Sequence, residues 1–553
     1  MPRKNAKKAK QEEPELPLET KENKIETTDD GIDESSAVAH RLASKQREIS
    51  ISEFFAKNRH LLGFDNPKKA LLTTIKEAVD NSLDACEETN ILPDLGVSII
   101  PFSEDRFKVI VEDNGPGIVK AQIPKIFGKL LYGSKFHTLK MSRGQQGIGI
   151  SAAGMYGQIT TGKPMQITSR ISPKKQAHYY RIKIDTTKNM PVIVEEADID
   201  WDKPRGTRIE IELEAKYFKG ARSVDDYLRQ TAIANPHVTI TYKTPENQEI
   251  VYKRSTDQMP EQPKEIKPHP YGVELGTLDK MIKTSEVRKL KSFLCSEFSR
   301  VSSKVAAEIC QKAEVSETMP LGKITDTDIE RVFKSLSAVK IMAPPTNCIA
   351  PIGEELILAG LKSVIEADFY TSKTRTPCVY RGNPFLVEVG LAYGGKQPAD
   401  QLMTLFRYAN RVPLMYQQSA CAVTRSIVNT AWHNYGLQQS KSSLPMGPVA
   451  LFVHIASVWV PFTSESKEAI AHYPEIIKEI KLAVQDCGRQ LGSYLSHKRR
   501  LLDSQKKLDY LESYVPHIGI ALREILSLTE KEETKIVVTL KDTLKKSRMP
   551  GVE

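Results

Sequence analysis

Three glycines within six residues, Gly144, Gly147 and Gly149 in "SRGQQGIGISAAGMYG" (residues 142–157), constrain this chain more than any other feature. Glycines leave backbone amides open to a ligand, and the small-residue run near Ser151 opens a helix whose first N–H groups lack partners. Amides converging from a turn and from a helix N-terminus make an anion site. The fold must therefore bring a loop and then a helix start onto one ligand. Two other glycine motifs fit poorly. "GIGISA" matches a dinucleotide-binding G-x-G-x-x-A, but the polar "KMSRGQQ" precedes it where a strand is required. "GQITTGK" (157–163) begins as a P-loop does, yet Pro164 stands where a Ser or Thr hydroxyl must reach a metal. A flexible linker is a third reading, and the apolar helix that follows argues against it.

Upstream, Leu71, Leu72, Ile75 and Val79 recur at helical spacing and predict a helix through residue 88. Within it, "EAVDNSLDA" (77–85) sets Glu77, Asn81, Asp84 and Glu88 on one face, with positions 75, 78, 79, 82 and 86 opposite. Such a stripe fits a solvated surface. It also fits a ligand site, and Asn81 favours that reading because asparagine competes with the backbone and forms helices poorly. "FKVIVED" (107–113) alternates as a strand, which puts Asp113 on the core side with Phe107, Val109 and Val111. A buried carboxylate is costly unless it meets a donor. Gly115 and Gly117 in "DNGPGI" let a ligand approach the backbone, so Asp113 either receives the exocyclic amine of an adenine or caps its strand in an Asx-turn. "GTRIEIELE" (206–214) predicts a further strand.

Together, E-x-x-x-N-S-x-D-A, D-x-G-x-G, G-x-x-G-x-G and G-T, in that order across residues 77–207, resemble the Bergerat-fold (GHKL) ATPases. That superfamily includes gyrase-type topoisomerases, MutL-type repair proteins, heat-shock chaperones and sensor histidine kinases. The resemblance implies that Glu77 polarises the water attacking ATP, Asn81 holds Mg²⁺ against the phosphates and Asp113 reads adenine. It implies that Gly117 and Thr207 line the base pocket, and that Gly115, Gly144, Gly147, Gly149 and Ile150 belong to the nucleotide cradle. These residue types suit the chemistry: a carboxylate orients water, and a neutral amide oxygen suits a hard cation beside phosphates. "EFFAKNRHLLGFDNPKKAL", "SRGQQGIGISAAGMYGQ", "MAPPTNCIAPIGEE" and "FRYANRVPLMY" narrow the resemblance to the B subunits of type IIB DNA topoisomerases, the topoisomerase VI B family. In "SESKEAI", Lys467 stands where that family's transducer lysine reaches the γ-phosphate. Without the resemblance, it reads as a solvated surface lysine.

The implied architecture is an α+β multidomain chain. A Bergerat-fold ATPase sandwich is expected over 47–255, a small helix-two-turns-helix domain over 256–340, and an αβ transducer with a long helix over 341–514. Residues 1–46 alternate Lys with Glu/Asp clusters, carry few apolar residues and read as a disordered tail. "PEQPKEIKPHP" reads as a linker. After Pro474, forty residues of helical pattern span about 60 Å. An arm so long and charged is expected to lie outside the core and, with 515–553, to dock a partner. By resemblance, that partner is a DNA-cleaving A subunit in an A2B2 assembly. Two B chains are expected to dimerise on binding ATP and to gate one double-stranded DNA segment.

The net charge of +10 and pI near 8.9 favour an acidic partner, DNA being the obvious one. No apolar run approaches the roughly 18 residues of a membrane span, and the lysine-rich start lacks a signal peptide's apolar core. Seven scattered cysteines without a C-x-x-C pair argue for a reducing compartment, cytoplasmic or, in a eukaryote, nuclear. Three rivals differ in class. A chaperone or repair clamp would use the same ATP site without a cleaving partner. A histidine kinase needs a phosphoacceptor on a helical hairpin, and neither His40 nor His60 sits in one. A scaffold with a relic pocket is disfavoured by intact Glu77 and Asn81.

Overall fold

The computed structural model describes residues 40–46, 49–135, 138–144, 147–464 and 466–546. Of the tail expected to be disordered, 1–39 lie outside the described residues and 40–43 are helical. Residues 50–553 form a unit separate from 1–49, and it is this larger unit that holds the site.

A short helix α1 (Ile51–Lys57) precedes α2 (Pro67–Glu88). Pro67 opens α2, and the Asn66 side chain caps it by accepting from the Lys69 N–H at 2.9 Å. Eight strands then form a mixed sheet. They are β1 (Asp94–Ser103), β2 (Arg106–Glu112), β3 (Met165–Arg170), β4 (Ala177–Asp185), β5 (Met190–Ile199), β6 (Gly206–Glu214), β7 (Thr239–Lys243) and β8 (Glu249–Tyr252). Their order is β5-β4-β3-β6-β2-β1-β7-β8, with only β1 and β7 parallel. Helices α3 (Ile123–Gly128), α4 (Gly149–Thr161) and α5 (Val224–Ala234) complete the layer. Leu71, Ile75 and Val79 of α2, and Ala153 of α4, share one core with Val97, Val109, Ile167 and Ile209 of the sheet. The apolar period of α2 thus turns its polar stripe toward the crevice between helices.

Four short helices follow: α6 (Leu275–Thr284), α7 (Leu290–Glu297), α8 (Ser303–Ala313) and α9 (Asp326–Ala338). They close a core of their own around Phe293, Ile309 and Val332. The capping box Thr325/Asp328 starts α9.

The last layer begins with α10 (Glu354–Val364) and six strands: β9 (Phe369–Thr374), β10 (Cys378–Tyr380), β11 (Asn383–Tyr393), β12 (Thr404–Ala409), β13 (Val412–Pro413) and β14 (Val449–Ser457). Every residue of β14 is buried because α10 covers one face of this sheet, while α11 (Ala422–Val428) and α12 (Pro474–Leu526) cover the other. Gly360 of α10 lies so close to the Ile233 carbonyl of α5 that a side chain there would collide with it. That contact joins the second sheet to the first domain.

Helix α12 differs from the expected free arm in two ways. Ile476, Ile480, Val484, Cys487 and Leu491 are buried against the second sheet, so its first five turns are a core element. The helix also runs past 514 and through Pro516 to Leu526, where it folds back on α13 (Glu530–Lys546). Val515 is buried, Gly519 lies against Val537, and Arg523 bonds Glu533 at 2.8 Å. This packing offsets the missing Pro516 donor.

Candidate nucleotide-binding site

A pocket of about 620 Å³ opens between α2, the start of α4, β6 and the transducer. That size suits a small-molecule ligand. At its inner end Asp113 follows β2, with 7% of its surface exposed. The Gly115 and Thr207 amides donate to its Oδ1 at 2.9 and 3.1 Å, and Ser82 Oγ donates to Oδ2 at 2.8 Å. Burial raises the carboxyl's pKa, and those three donors partly offset the rise. With Asp113 lining the pocket, the geometry favours ligand recognition; the Gly115 amide supplies the Asx contact as well. Gly117, at φ +72°, lies against the Arg170 carbonyl where no side chain fits. Gly117 and Thr207 line the pocket; Gly115 is buried behind it and acts through Asp113. Ser169 Oγ, 3.1 Å from Thr207 Oγ1, accepts from the Ile118 amide and so ties the glycine turn to β3.

At the other end, α4 starts at Gly149, two residues before the expected Ser151, and no side chain caps it. Its first amides therefore remain available to an anion. Gly144, Gly147, Gly149 and Ile150 all line the pocket. Opposite them, α2 presents Glu77 and, one turn on, Asn81. The Glu77 carboxylate occupies the space that a side chain at Gly149 would need. Among the described residues, the Asn81 side chain has no hydrogen-bond partner, and its Oδ1 is near Gly144. Asp80, between them, is turned inward and accepts from Tyr227 Oη at 3.2 Å; burial pushes its pKa up to about 7.

Lys467 reaches the pocket from the second sheet, more than 250 residues after Thr207 in the chain. It sits at φ +52° in a turn closed by its N–H to the Ser464 carbonyl. It makes no ion pair among the described residues. Desolvation lowers its pKa, and the Glu77 carboxylate acts against that. A solvated surface residue would have neither feature.

The sequence reading missed what holds the segment 138–144 that leads toward the glycine motif. Arg143 donates to Asp84 Oδ1 at 2.9 Å, to both Glu87 oxygens at 2.7 and 2.6 Å, and to Asn235. Asp84, expected on the ligand stripe, is instead an ion-pair partner of Arg143 and Lys135. From the transducer, Arg411 approaches Glu87 at 3.7 Å and donates to the Ala350 and Pro351 carbonyls. Its neighbour Asn410 donates to the Ser142 carbonyl at 2.9 Å. Both residues have positive φ in the turn between β12 and β13. Helical spacing places 84 and 87 one turn apart but carries no sign of partners so distant in the chain.

The family model for histidine kinase-, DNA gyrase B- and HSP90-like ATPases matches residues 66–217, and the model for the transducer of the topoisomerase VI B subunit matches 344–507. The B subunit of type 2 DNA topoisomerase 6 from Methanococcoides burtonii is 49% identical over 493 residues, which cover 89% of this chain and 79% of that one. Its namesake in Methanosarcina barkeri is 47% identical over 508 residues, covering 92% and 82%. That of Archaeoglobus fulgidus is 46% identical over 500 residues, covering 90% and 83%. The chain belongs to the family of type 2 DNA topoisomerase 6 B subunits, the ATP-driven subunits of a type II DNA topoisomerase.

Proposed function

We propose that this chain hydrolyses Mg-ATP in the pocket between α2 and α4 and uses the cycle to gate a DNA duplex. One observation carries this reading: the Glu77 carboxylate lies against the uncapped start of α4, one turn from Asn81, whose side chain has no partner among the described residues. A general base, a metal ligand and an anion-binding helix terminus thus converge on one point. Asp113, with its oxygens held by three donors, is oriented to accept the adenine amine. The Asn81 amide oxygen suits Mg²⁺, which when bound would neutralise charge on the phosphates.

Lys467 is the reading's link to the second domain. As a half-buried cation with no ion-pair partner among the described residues, it gains one in the γ-phosphate. Loss of that phosphate frees the lysine, which makes the transducer a two-state element biased by the nucleotide. In the full assembly, two such chains close through their ATPase domains on ATP. A separate A subunit, docked on the far part of α12 and on α13, cuts the DNA to complete an A2B2 heterotetramer. The basic charge of the body suits the duplex. Such a machine works with chromosomal DNA, in the cytoplasm of a prokaryote or the nucleus of a eukaryote.

Glu77→Ala tests the core of this. It should retain ATP binding and lose turnover about a hundredfold or more, since a positioned base contributes about that much. Turnover at the wild-type rate would remove Glu77 from the chemistry. Relaxation and decatenation assays with an added A subunit separate a topoisomerase from a repair or chaperone clamp, which needs no cleaving partner.

A further inference from the structure

Lys467 sits at the tip of a loop that is tightly closed at its base. The Thr463 N–H donates to the Ala469 carbonyl at 2.9 Å, and the Ala471 N–H donates to the Pro461 carbonyl at 2.8 Å. Ala469 and Ile470 are buried in the transducer core. The base therefore moves with the second sheet. What crosses to the ATPase domain is the next side chain, Glu468.

Glu468 is 6% exposed, and its Oε1 meets Lys69 Nζ at 2.5 Å. Its Oε2 accepts from Gln417 of the transducer at 2.8 Å. Lys69 lies in the first turn of α2, close to a second carboxylate, Asp65, at 3.1 Å, and 5.4 Å from the centre of the Tyr416 ring. Two carboxylates hold its charge against the desolvation that would lower it. Eight residues further along the same helix stands Glu77, about 12 Å away by helical rise. One rigid helix thus carries both the hydrolytic carboxylate and the anchor of the loop that bears Lys467.

We propose that the Lys69–Glu468 pair is a latch that positions Lys467 for hydrolysis. This rests on the reading of Lys467 as the γ-phosphate ligand. The latch does two things. It fixes the loop against α2, so that the distance from Lys467 to Glu77 is set by one helix. It also occupies Glu468, which would otherwise compete with phosphate for the ammonium of its neighbour. Lys69 and Glu468 are positioning residues, acting through Lys467.

The test uses the full chain and compares Lys69→Glu, Glu468→Lys, the double charge swap, Glu468→Gln and Lys467→Ala. Steady-state ATP turnover is read with nucleotide affinity and thermal melting. Each reversal should lower kcat about ten- to a hundredfold, as small misplacements of a catalytic group do, with KM changed less than about threefold. The swap should restore most of kcat, a recovery that general destabilisation would not produce. Glu468→Gln keeps the shape and loses the charge, so it should lower kcat even if a reversal does not fold. A swap no better than the single variants would mean that Lys69 meets the phosphates itself, and would overturn the latch. Latch variants with normal kcat beside an inactive Lys467→Ala would also overturn it. Normal turnover by Lys467→Ala would instead remove the reading on which the latch rests.

Discussion

At Gly149 a missing side chain makes room for Glu77. The position does not need glycine's freedom, since its φ is not in the left-handed region. It needs the space, because any Cβ would overlap the Glu77 carboxylate. This separates two properties that usually change together. Alanine forms helices better than glycine by up to about 1 kcal/mol, so Gly149→Ala should hold or raise the melting temperature. It should also displace the carboxylate and lower kcat about tenfold or more, on the same geometric argument as for any misplaced base. Measuring melting and turnover on one preparation decides it. Unchanged turnover would show that Glu77 works from another rotamer. Gly117 and Gly206 differ in kind: both have positive φ and both abut a carbonyl, so substitution there strains backbone and ligand pocket alike.

At the scale of elements, the charged composition of α12 conceals a buried stripe. Ile476, Ile480, Val484 and Leu491 recur on the face that packs against the second sheet. Each such side chain contributes about 1.5–3 kcal/mol on burial, so the four sum to about 6–12 kcal/mol, comparable to the stability of a whole domain. A chain ending at Tyr473 should lose the folded transducer. One ending at Arg500 keeps that stripe, and also the Phe369–Tyr494 stack, and should keep it folded. Limited proteolysis of the two truncations gives the answer; a protected transducer in the shorter one would mean that α12 is dispensable. The same helix shows what a sequence can and cannot reveal. Periodicity located it from Pro474, as it located the strands at 107–113 and 206–214, because amphipathic period is a local property. Whether a charged helix is strut or core depends on what lies opposite, which is not local. The nucleotide motifs were readable for a related reason. Glu77 and Asn81 are a turn apart, and Gly144, Gly147 and Gly149 lie within six residues of sequence. Ser82's bond to Asp113, Arg143's bonds to Glu87 and the Lys69–Glu468 pair join residues 31, 56 and 399 positions apart, and no periodicity encodes them.

Across the whole molecule, the ATPase layer and the transducer meet, among the described residues, at two ionic contacts, a single pair and a network. One is the latch beside the pocket. The other is a network: Glu87 gathers Arg143, Arg411 and His237, and Arg411 leads on to His454 and Glu388. The Arg411 N–H donates to His454 Nε2, so the imidazole proton lies on Nδ1 and is given to Glu388 at 2.8 Å. Glu87 is held well below the ordinary carboxylate range by Arg143 and Arg411 and by its hydrogen bond to His237. His237, 2.9 Å from Glu87, is nevertheless held below its ordinary pKa, first by burial and then by the repulsion of Arg411 and Arg143. It is therefore neutral near pH 7. Its folded pKa lies below the unfolded value, so it costs the native state stability as pH falls through about 6.5. Arg411→Met removes one cation while leaving Glu87 paired to Arg143, and should destabilise the chain by about 1–3 kcal/mol, since the buried Ala350 carbonyl and that of Pro351 lose their donor. It also removes part of the repulsion on His237, whose pKa must then rise. A protonated His237 replaces part of the lost charge, and a raised pKa adds stability below the unfolded value. The melting deficit of Arg411→Met should accordingly be largest at pH 8 and smaller at pH 6. The wild-type layers should melt in one transition and those of the variant should separate, since this knot ties residues 138–144 to the second sheet. Calorimetry at the two pH values measures both. A deficit that grows on acidification would mean that His237 does not respond to Arg411, and that the knot is a set of independent pairs.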